Sequence, residues 1–179
     1  MLDLRKTSLL DKYLNYRTVS AVADIGSGDC RYVKYITTRH YGKALRKAIA
    51  IDKSPLQIEL CRKNLEGINL SPIILDLETE YNINTIVRDQ VDIVLLFDIL
   101  EHLSCPRKAI ELAKLFQPEL IFISTIGEST TNIRDAIERD PEHVVMFNRT
   151  LLSRFLKRLN LEPLEIRQDH EILFAVARL

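Results

Sequence analysis

The chain has 179 residues, 46% of them hydrophobic and 28% charged, which fits one ordinary globular domain. Lysine plus arginine equals aspartate plus glutamate at 25 each, so a general nucleic-acid-binding surface is disfavoured; an RNA partner is possible, but the net charge does not indicate one. Because the longest apolar runs are strand-sized and the start lacks a signal-peptide core, we expect a cytoplasmic protein without a membrane partner.

Apolar and amphipathic runs alternate along the chain. After a helical lead-in over residues 1–20, runs rich in isoleucine, valine and leucine indicate parallel strands covered on both faces, at 21–25, 48–51, 72–75, 91–97 and 119–124. Ser54 followed by Pro55 predicts a helix start after the second strand. Asn148 is expected to cap a later helix with one apolar face, formed by Leu151, Leu152, Phe155 and Leu159.

The last two strand-like runs, 164–167 and 172–177, are joined by only four residues. A helical crossover does not fit there, so these strands should be antiparallel. The sequence therefore predicts one α/β domain over residues 1–179, a doubly wound, Rossmann-like sheet with helices on both faces. The long connection at 125–147 is expected on the substrate side.

The three cysteines are far apart in sequence and form no Cys-x-x-Cys pair. This spacing indicates neither a zinc site nor a disulfide framework. We therefore expect buried or idle thiols at Cys30, Cys61 and Cys105.

Carboxylates stand beside the ends of the first three predicted strands. The first strand runs into Asp24, Gly26 and Gly28, the second ends on Asp52, and the third ends on Asp76. Ligands of doubly wound sheets bind outside the carboxyl ends of the strands, where glycines allow close approach. Asp52 suits a ribose diol and Asp76 an exocyclic amine such as that of adenine, so the pattern predicts a nucleoside site.

A nicotinamide-dependent enzyme is the rival interpretation of the glycine turn. Its Gly-x-Gly-x-x-Gly fingerprint needs a third glycine for close helix packing. That position holds the bulky Arg31, and the chain offers no second domain for a hydride-accepting substrate. The rival is therefore disfavoured.

The motifs resemble those of class I S-adenosylmethionine-dependent methyltransferases of the small, Glu-His-Leu-containing type. Residues 24–29 resemble the first motif, with Cys30 in place of its third glycine; residues 49–52 resemble the second, and 91–103 the fourth-strand motif ending in Glu-His-Leu. The resemblance implies seven strands, the last antiparallel, and S-adenosyl-L-methionine as cofactor. The residues it places on the cofactor are Asp24, Gly26, Ser27, Gly28, Asp52, Lys53, Asp76, Leu77 and Asp98.

A second constellation follows the fourth strand. Asp98, Glu101 and His102, with His143 further on, offer oxygen and nitrogen ligands for a divalent metal. The pattern is similar to acid-x-x-Glu-His…His of metal-dependent O-methyltransferases, although the first acid there is usually glutamate. The alternative is that Glu101 and His102 only shape the cofactor pocket, without a metal. His143 and His102 are the candidate catalytic bases.

The resemblance implies methyl transfer to an acceptor that the sequence does not identify, either a small molecule or a macromolecule. The Asn-or-Asp-Pro-Pro-aromatic motif of amino-directed nucleic-acid methyltransferases is missing after the fourth strand. An oxygen or small-amine acceptor is therefore favoured over a nucleobase amine. The alternative function is a non-catalytic, nucleoside-binding scaffold with the same fold.

Overall fold

The structure is a computed structural model that describes residues 2–79, 89–127 and 142–179. The helices are α1 (Leu4–Leu14), α2 (Arg31–Thr37), α3 (Pro55–Asn64), α4 (Arg107–Leu115) and α5 (Arg149–Arg158), with short 3-10 turns at His40–Gly42 and Leu100–His102. The strands are β1 (Ala21–Ile25), β2 (Lys47–Asp52), β3 (Asn69–Ile74), β4 (Ile93–Phe97), β5 (Leu120–Ile126), β6 (Glu162–Asp169) and β7 (Ile172–Arg178).

The seven strands form one sheet in the order β3-β2-β1-β4-β5-β7-β6. Strands β3, β2, β1, β4 and β5 pair in parallel, and β7 runs antiparallel to both of its neighbours. The predicted fold class is confirmed, including the terminal antiparallel hairpin. Chain order reverses between β1 and β4, so the tips of these two strands flank the crevice where such sheets bind ligands.

Each face of the sheet carries its own apolar core. The face that packs against α1, α2 and α3 includes Val22 of β1, and the face that packs against α4 and α5 includes Ala23 and Ile25. Successive side chains of a strand point to opposite faces, so a strand covered on both sides needs a continuous apolar run. This explains why β1, β2, β4 and β5 can be predicted from the sequence.

Local signals set the helix starts, and the apolar face predicted for α5 is correct except for Leu151. Ser54 Oγ accepts a hydrogen bond from the Gln57 amide at 3.4 Å, as its N-cap position predicts. Asn148 Oδ1 accepts from the Leu151 amide at 2.9 Å and caps α5. Leu151 itself is 46% exposed, because the buried face of α5 follows the i, i+4 pair Leu152 and Leu156.

Two predicted segments, the lead-in at 1–20 and the connection at 125–147, lie outside the alternating strands and helices. The structure describes nearly all of the first but only part of the second. Residues 4–14 of the lead-in form α1, whose Leu9, Leu10 and Leu14 are fully buried. In the 125–147 connection, residues 128–141 lie outside the described residues. The assignment of residues 1–179 to one domain, with a substrate-side connection, stays a prediction.

Membrane-spanning segments were not expected. The longest helix in the described ranges has 11 residues, too few to reach across a bilayer, and no candidate span is found there.

The expectation of unpaired thiols is wrong for two of the three cysteines. Cys30 and Cys61 form a disulfide across a sequence separation of 31 residues, whereas Cys105 is a free, exposed thiol. Cys30 precedes α2 and Cys61 lies in α3, and the βα crossover places both on one face of the sheet. Sequence spacing alone does not show this proximity.

Opening the disulfide should destabilise the protein. We expect Cys61→Ala to lower the free energy of unfolding by about 3 to 4 kcal/mol, because the cross-link restrains a long loop in the unfolded chain. Urea unfolding of oxidised and reduced protein measures the effect, and Cys105→Ser is the matched control because its thiol is unpaired. Equal urea midpoints with and without reductant would contradict the prediction.

Candidate cofactor and acceptor site

The glycine turn after β1 is anchored on the end of β2. The amides of Gly26 and Ser27 both donate to the Ile51 carbonyl, at 2.8 and 3.0 Å. Gly26 has φ +71°, and a Cβ there would lie 2.8 Å from Cδ1 of Ile99. Gly28 has φ +50°, and a Cβ there would meet nothing within 4 Å. Position 26 therefore requires glycine, both because of its positive φ and because a Cβ would clash with Ile99. The space above position 28 is open.

Asp52 is fixed from both sides at the tip of β2. Its Oδ2 accepts from the Gly28 amide at 2.9 Å, and its Oδ1 accepts from the Ser54 amide at 2.8 Å. A carboxylate has about four acceptor positions, so each oxygen keeps one for a ligand. The two bonds hold the carboxylate in one orientation, with acceptor capacity for a pair of hydroxyls.

An open cleft of about 290 Å³ runs along the tips of β3, β2, β1 and β4. Seven of the nine predicted cofactor residues line it: Gly26, Gly28, Asp52, Lys53, Asp76, Leu77 and Asp98. Ile99, Gln57 and Glu142 also line it, and sequence analysis did not single them out. The volume is near the lower end of small-molecule pockets, which suits a nucleoside-sized ligand.

Two predicted cofactor residues, Asp24 and Ser27, are not among the lining residues of the cleft. Asp24 is 3% exposed and Ser27 is 7% exposed. Burial raises the pKa of Asp24 well above its usual value, and the nearby charges of Asp52 and Asp29 raise it further. Asp24 is therefore a buried residue of β1 that does not line the cleft, and its contact with the cofactor stays a prediction.

Asp98 has a strained backbone at the far end of the cleft. Its φ is +54°, an unusual value for a residue other than glycine. The Asp98 amide donates to the Ser124 carbonyl at 3.0 Å, and Ser124 Oγ donates to Asp98 Oδ1 at 2.8 Å. The other oxygen, Oδ2, is paired with the ammonium group of Lys6. Contacts from β5 and α1 therefore hold this carboxylate in place.

Lys6 pairs with Asp98 at the end of the cleft without lining it, and sequence analysis did not identify this contact. Its side chain is 4% exposed, and its Nζ lies 5.4 Å from the centroid of Tyr32 and 5.8 Å from that of Phe97. Lysine is rarely buried unless it is paired. The sequence offered a weak signal at most, because Lys6 is one of two lysines in the lead-in helix.

Glu101, His102 and His143 come together beside the cleft. One donor atom from each lies within 4.8 Å of the others, and the two imidazole centroids are 4.9 Å apart. The Glu101 carbonyl accepts from the Val144 amide at 2.8 Å, which holds the segment carrying His143 against the 3-10 turn. Asp98 is not in this group, because its carboxylate contacts Lys6 and Ser124.

Glu101 is a buried carboxyl with an altered proton affinity. It is 4% exposed, and Thr125 Oγ1 donates to its Oε2 at 2.9 Å. Burial, together with the charge of Asp98, raises its pKa from 4.5 to about 7. A carboxyl that titrates near neutral pH can accept a proton in a reaction.

The sheet order, the antiparallel β7 and the glycine-lined cleft at the β1/β4 switch point define a class I methyltransferase fold. The sequence model of the family described as "Methyltransferase domain" matches residues 23–122, more than half of the chain. The chain therefore belongs to this methyltransferase family, and the predicted resemblance is confirmed.

Solved structures with the same fold are distant in sequence. A Haloferax volcanii protein, solved with the Trm112 methyltransferase activator, has 14% identity and a TM-score of 0.74 over 98% of this chain and 94% of its own. An O-methyltransferase family protein from Burkholderia thailandensis has 16% identity and a TM-score of 0.75 over 97% and 55%. The 1,6-didemethyltoxoflavin N1-methyltransferase of that organism, solved with S-adenosylhomocysteine, has 15% identity and a TM-score of 0.68 over 98% and 76%. No curated protein sequence gives a significant match.

Proposed function

We propose that the protein is an S-adenosylmethionine-dependent methyltransferase whose cofactor occupies the cleft at the strand tips. The observation that carries this proposal is the fixed carboxylate of Asp52, oriented by the amides of Gly28 and Ser54 at the cleft wall. Asp76 follows β3 and is suited to the adenine end, and Asp52 is the last residue of β2 and is suited to the ribose. The family match supports the cofactor, because the matched residues 23–122 include both the glycine turn and Asp52.

The acceptor is proposed to be a hydroxyl or a small amine, bound beside Glu101, His102 and His143. The cofactor supplies an electrophilic methyl group on a sulfonium, which an electron-rich acceptor must meet in line. A hydroxyl acceptor must also lose a proton, and Glu101 is the best-suited base because its pKa is about 7. Thr125 orients the Glu101 carboxylate, and His143 lies against it.

The same three side chains also fit a divalent metal ion. One carboxylate and two imidazoles within 4.8 Å form a mixed oxygen and nitrogen donor set. Glu101, His102 and His143 would hold the ion, whose positive charge would favour the ionised form of an acceptor hydroxyl. Activity assays with and without a chelator separate this arrangement from one in which Glu101 acts without a metal.

Binding of the cofactor tests the proposal. By calorimetry we expect wild-type protein to bind S-adenosylmethionine but not NAD, and Asp52→Ala to weaken binding by about 10- to 100-fold, since charge-assisted hydrogen bonds to the ribose are lost. Asp29→Ala is the matched control, because Asp29 pairs with Arg31 on the same turn and does not line the cleft.

The results also distinguish an enzyme from a scaffold. Release of S-adenosylhomocysteine in the presence of an acceptor supports the enzyme. Cofactor binding without turnover across hydroxyl and amine acceptors would favour the non-catalytic scaffold. If wild-type protein does not bind S-adenosylmethionine at all, the proposed function is wrong.

A further inference from the structure

A second groove lies away from the cofactor cleft, between α5 and the edge strand β6, and is called the α5–β6 groove below. It has a volume of about 490 Å³ and is open to solvent. Its residues on the helix are Arg149, Thr150, Ser153, Arg154 and Lys157. Because residues three and four positions apart share one face of a helix, α5 presents a row of cations and hydroxyl groups to this groove.

The positive charge on the helix side of the groove is not neutralised by the protein. Helix α5 contains four basic residues and no acidic one. Within the described ranges, no carboxylate pairs with the exposed side chains of Arg149, Arg154 and Lys157. By contrast, the exposed Arg178 at the end of β7 pairs with Glu162. The charges along α5 are therefore available to an anionic ligand.

Arg149 is held over β6 by a backbone oxygen rather than by an acidic side chain. Its Nη2 donates to the Ile166 carbonyl at 2.9 Å. Arg149 is the first residue of α5 and so lies at the positive end of the helix dipole, where a cation is unfavourable and an anion is favoured. Helix stability therefore does not explain an arginine at this position, whereas binding of an anion does.

The acidic residue that lines the groove is neutralised by α1. Glu165 Oε2 accepts from the Tyr13 hydroxyl at 2.8 Å and pairs with the ammonium group of Lys12. The other groove residues on β6 include the apolar Leu164 and Ile166. An anion in the α5–β6 groove therefore meets little repulsion from the β6 wall.

The cations lie in a row along the groove and do not converge on one point. Arg149 and Lys157 are eight residues apart, which is about 12 Å along the helix axis, and Arg154 lies between them. This arrangement suits a chain that carries an anion at each repeat. A single strand fits a groove of this size, whereas a duplex, whose major groove alone is about 12 Å wide, does not.

The side chains of the groove match phosphate groups. Arginine, lysine, serine and threonine are among the side chains that contact the phosphate oxygens of nucleic acids. Among the described residues that line the groove, none is aromatic, so base stacking is not provided. The chemistry therefore fits the phosphodiester backbone, bound without regard to base sequence.

One end of the groove lies next to the acceptor side of the cofactor cleft. The Phe147 amide donates to the Ile126 carbonyl at 3.5 Å, which holds the segment before α5 at the tip of β5. His143 lies four residues before Phe147, and Arg149 lies two residues after it. A chain in the groove therefore extends toward the candidate acceptor site. Naming that end the acceptor side rests on the proposed function, but binding of the chain does not.

We propose that the α5–β6 groove binds the phosphodiester backbone of a single-stranded nucleic acid through Arg149, Arg154 and Lys157. The balanced net charge of the whole chain disfavours a general nucleic-acid-binding surface, but it leaves room for this local one. Helix α5 lies outside the residues 23–122 that match the family, so the groove is formed by the part of the chain after the match.

Fluorescence anisotropy with labelled RNA and DNA oligonucleotides of about 12 nucleotides tests the proposal. Binding through three phosphate contacts should weaken by about 20-fold between 50 and 200 mM salt, because the logarithmic slope for single strands is about −0.7 per contact. Binding of either oligonucleotide with this salt dependence supports the proposal, and the tighter of the two identifies the preferred sugar.

The double variant Arg154→Gln, Lys157→Gln tests the residues themselves. We expect at least about tenfold weaker binding at 50 mM salt, and only about a threefold further loss at 200 mM, since one contact remains. The double variant Lys63→Gln, Arg158→Gln is the matched control, because it removes the same charge from exposed residues that do not line the groove. Both variants should bind S-adenosylmethionine as wild type does, and thermal unfolding checks that each is folded.

Several results would overturn the proposal. Wild-type protein that binds neither oligonucleotide at 50 mM salt does so, whether or not the variants fold. Equal weakening in the two double variants shows that overall charge acts, not the groove. Equally tight binding of a polyglutamate peptide, or of a duplex of the same sequence, assigns the groove to another polyanion. Binding to anionic vesicles but to neither oligonucleotide assigns it to a membrane surface.

The proposed function is tested separately by calorimetry with S-adenosylmethionine. A protein that binds an oligonucleotide through the groove but does not bind the cofactor keeps this inference and loses the proposed function. A protein that binds the cofactor but neither oligonucleotide keeps the proposed function and loses this inference.

Discussion

Glu101→Gln should lower the rate of methyl transfer to a hydroxyl acceptor by about 10²- to 10⁴-fold, the usual contribution of a positioned base. Glutamine keeps the shape of the side chain and an oxygen that can accept from Thr125, but it cannot take a proton. The measurement is the single-turnover rate at saturating cofactor, with and without a chelator. An unchanged rate would remove Glu101 from the reaction.

The same substitution should make metal-free protein more stable at alkaline pH. The folded-state pKa of Glu101, about 7, lies above its ordinary value of 4.5, so the folded protein binds this proton more tightly than the unfolded chain. Wild-type stability should therefore fall as the pH rises from about 4.5 to 7, by about 3 kcal/mol from this group, and stay lower above that range. Glu101→Gln should remove that part of the decline.

Urea unfolding at pH 5 and pH 8 measures this difference for wild type and variant. Glu162→Gln serves as a control, because Glu162 pairs with Arg178 at an exposed end of the sheet. Parallel stability profiles for wild type and Glu101→Gln would contradict the shifted pKa. If Glu101→Gln is more stable than wild type at pH 8 but has lost turnover, the buried carboxyl is retained for catalysis at a cost in stability.

Gly26→Ala should cause the second large effect, a loss of about 2 to 4 kcal/mol in stability and at least about tenfold in cofactor affinity. A positive φ is energetically unfavourable for any residue with a Cβ, and the new methyl group would lie 2.8 Å from Cδ1 of Ile99. Ile99 lines the cleft, so moving it away changes the wall that faces the ligand. Denaturant unfolding and calorimetry with S-adenosylmethionine measure the two losses.

Two other glycines separate backbone strain from the clash. Gly28→Ala and Gly67→Ala also place a Cβ at positive φ, but neither would meet an atom within 4 Å. Both should lose only the strain, about 1 to 2 kcal/mol, and Gly67→Ala should keep full cofactor affinity because Gly67 is not among the residues of the cleft. Ile99→Ala removes packing of its own, but it should cost less stability in the Gly26→Ala background than in wild type, because it also relieves the clash. An equal cost in both backgrounds would show that strain alone explains the loss.

The sequence predicted the elements whose signal is local. Strands β1, β2, β4 and β5 are buried on both faces, so their apolar runs are continuous and unambiguous. Strand β3 lies at the sheet edge and is mostly half-exposed, which explains why its predicted start, residue 72, falls three residues after the observed Asn69. The caps at Ser54 and Asn148 depend on neighbouring residues only and were predicted correctly.

Features that join distant segments were not predictable in this way. The pairing of Cys30 with Cys61 depends on how two helices pack on one face, and the Lys6–Asp98 contact joins residues 92 positions apart. Glu101, His102 and His143 were grouped by analogy with a motif, and the structure brings all three together. The structure gives the Asp98 carboxylate two other partners, Lys6 and Ser124. A sequence pattern does not show this, because the orientation of the Asp98 side chain depends on these distant residues.

The bridge between Cys30 and Cys61 has a consequence for how a ligand enters. One half-cystine flanks the glycine turn, and the other lies in the helix that begins just after Asp52, so two walls of the cleft are covalently joined before any ligand arrives. Less conformational freedom is then left to lose on association, and a preorganised receptor binds more tightly for the same contacts. Recognition of the nucleoside should resemble docking to a rigid surface more than induced fit, with any adaptation left to the acceptor side.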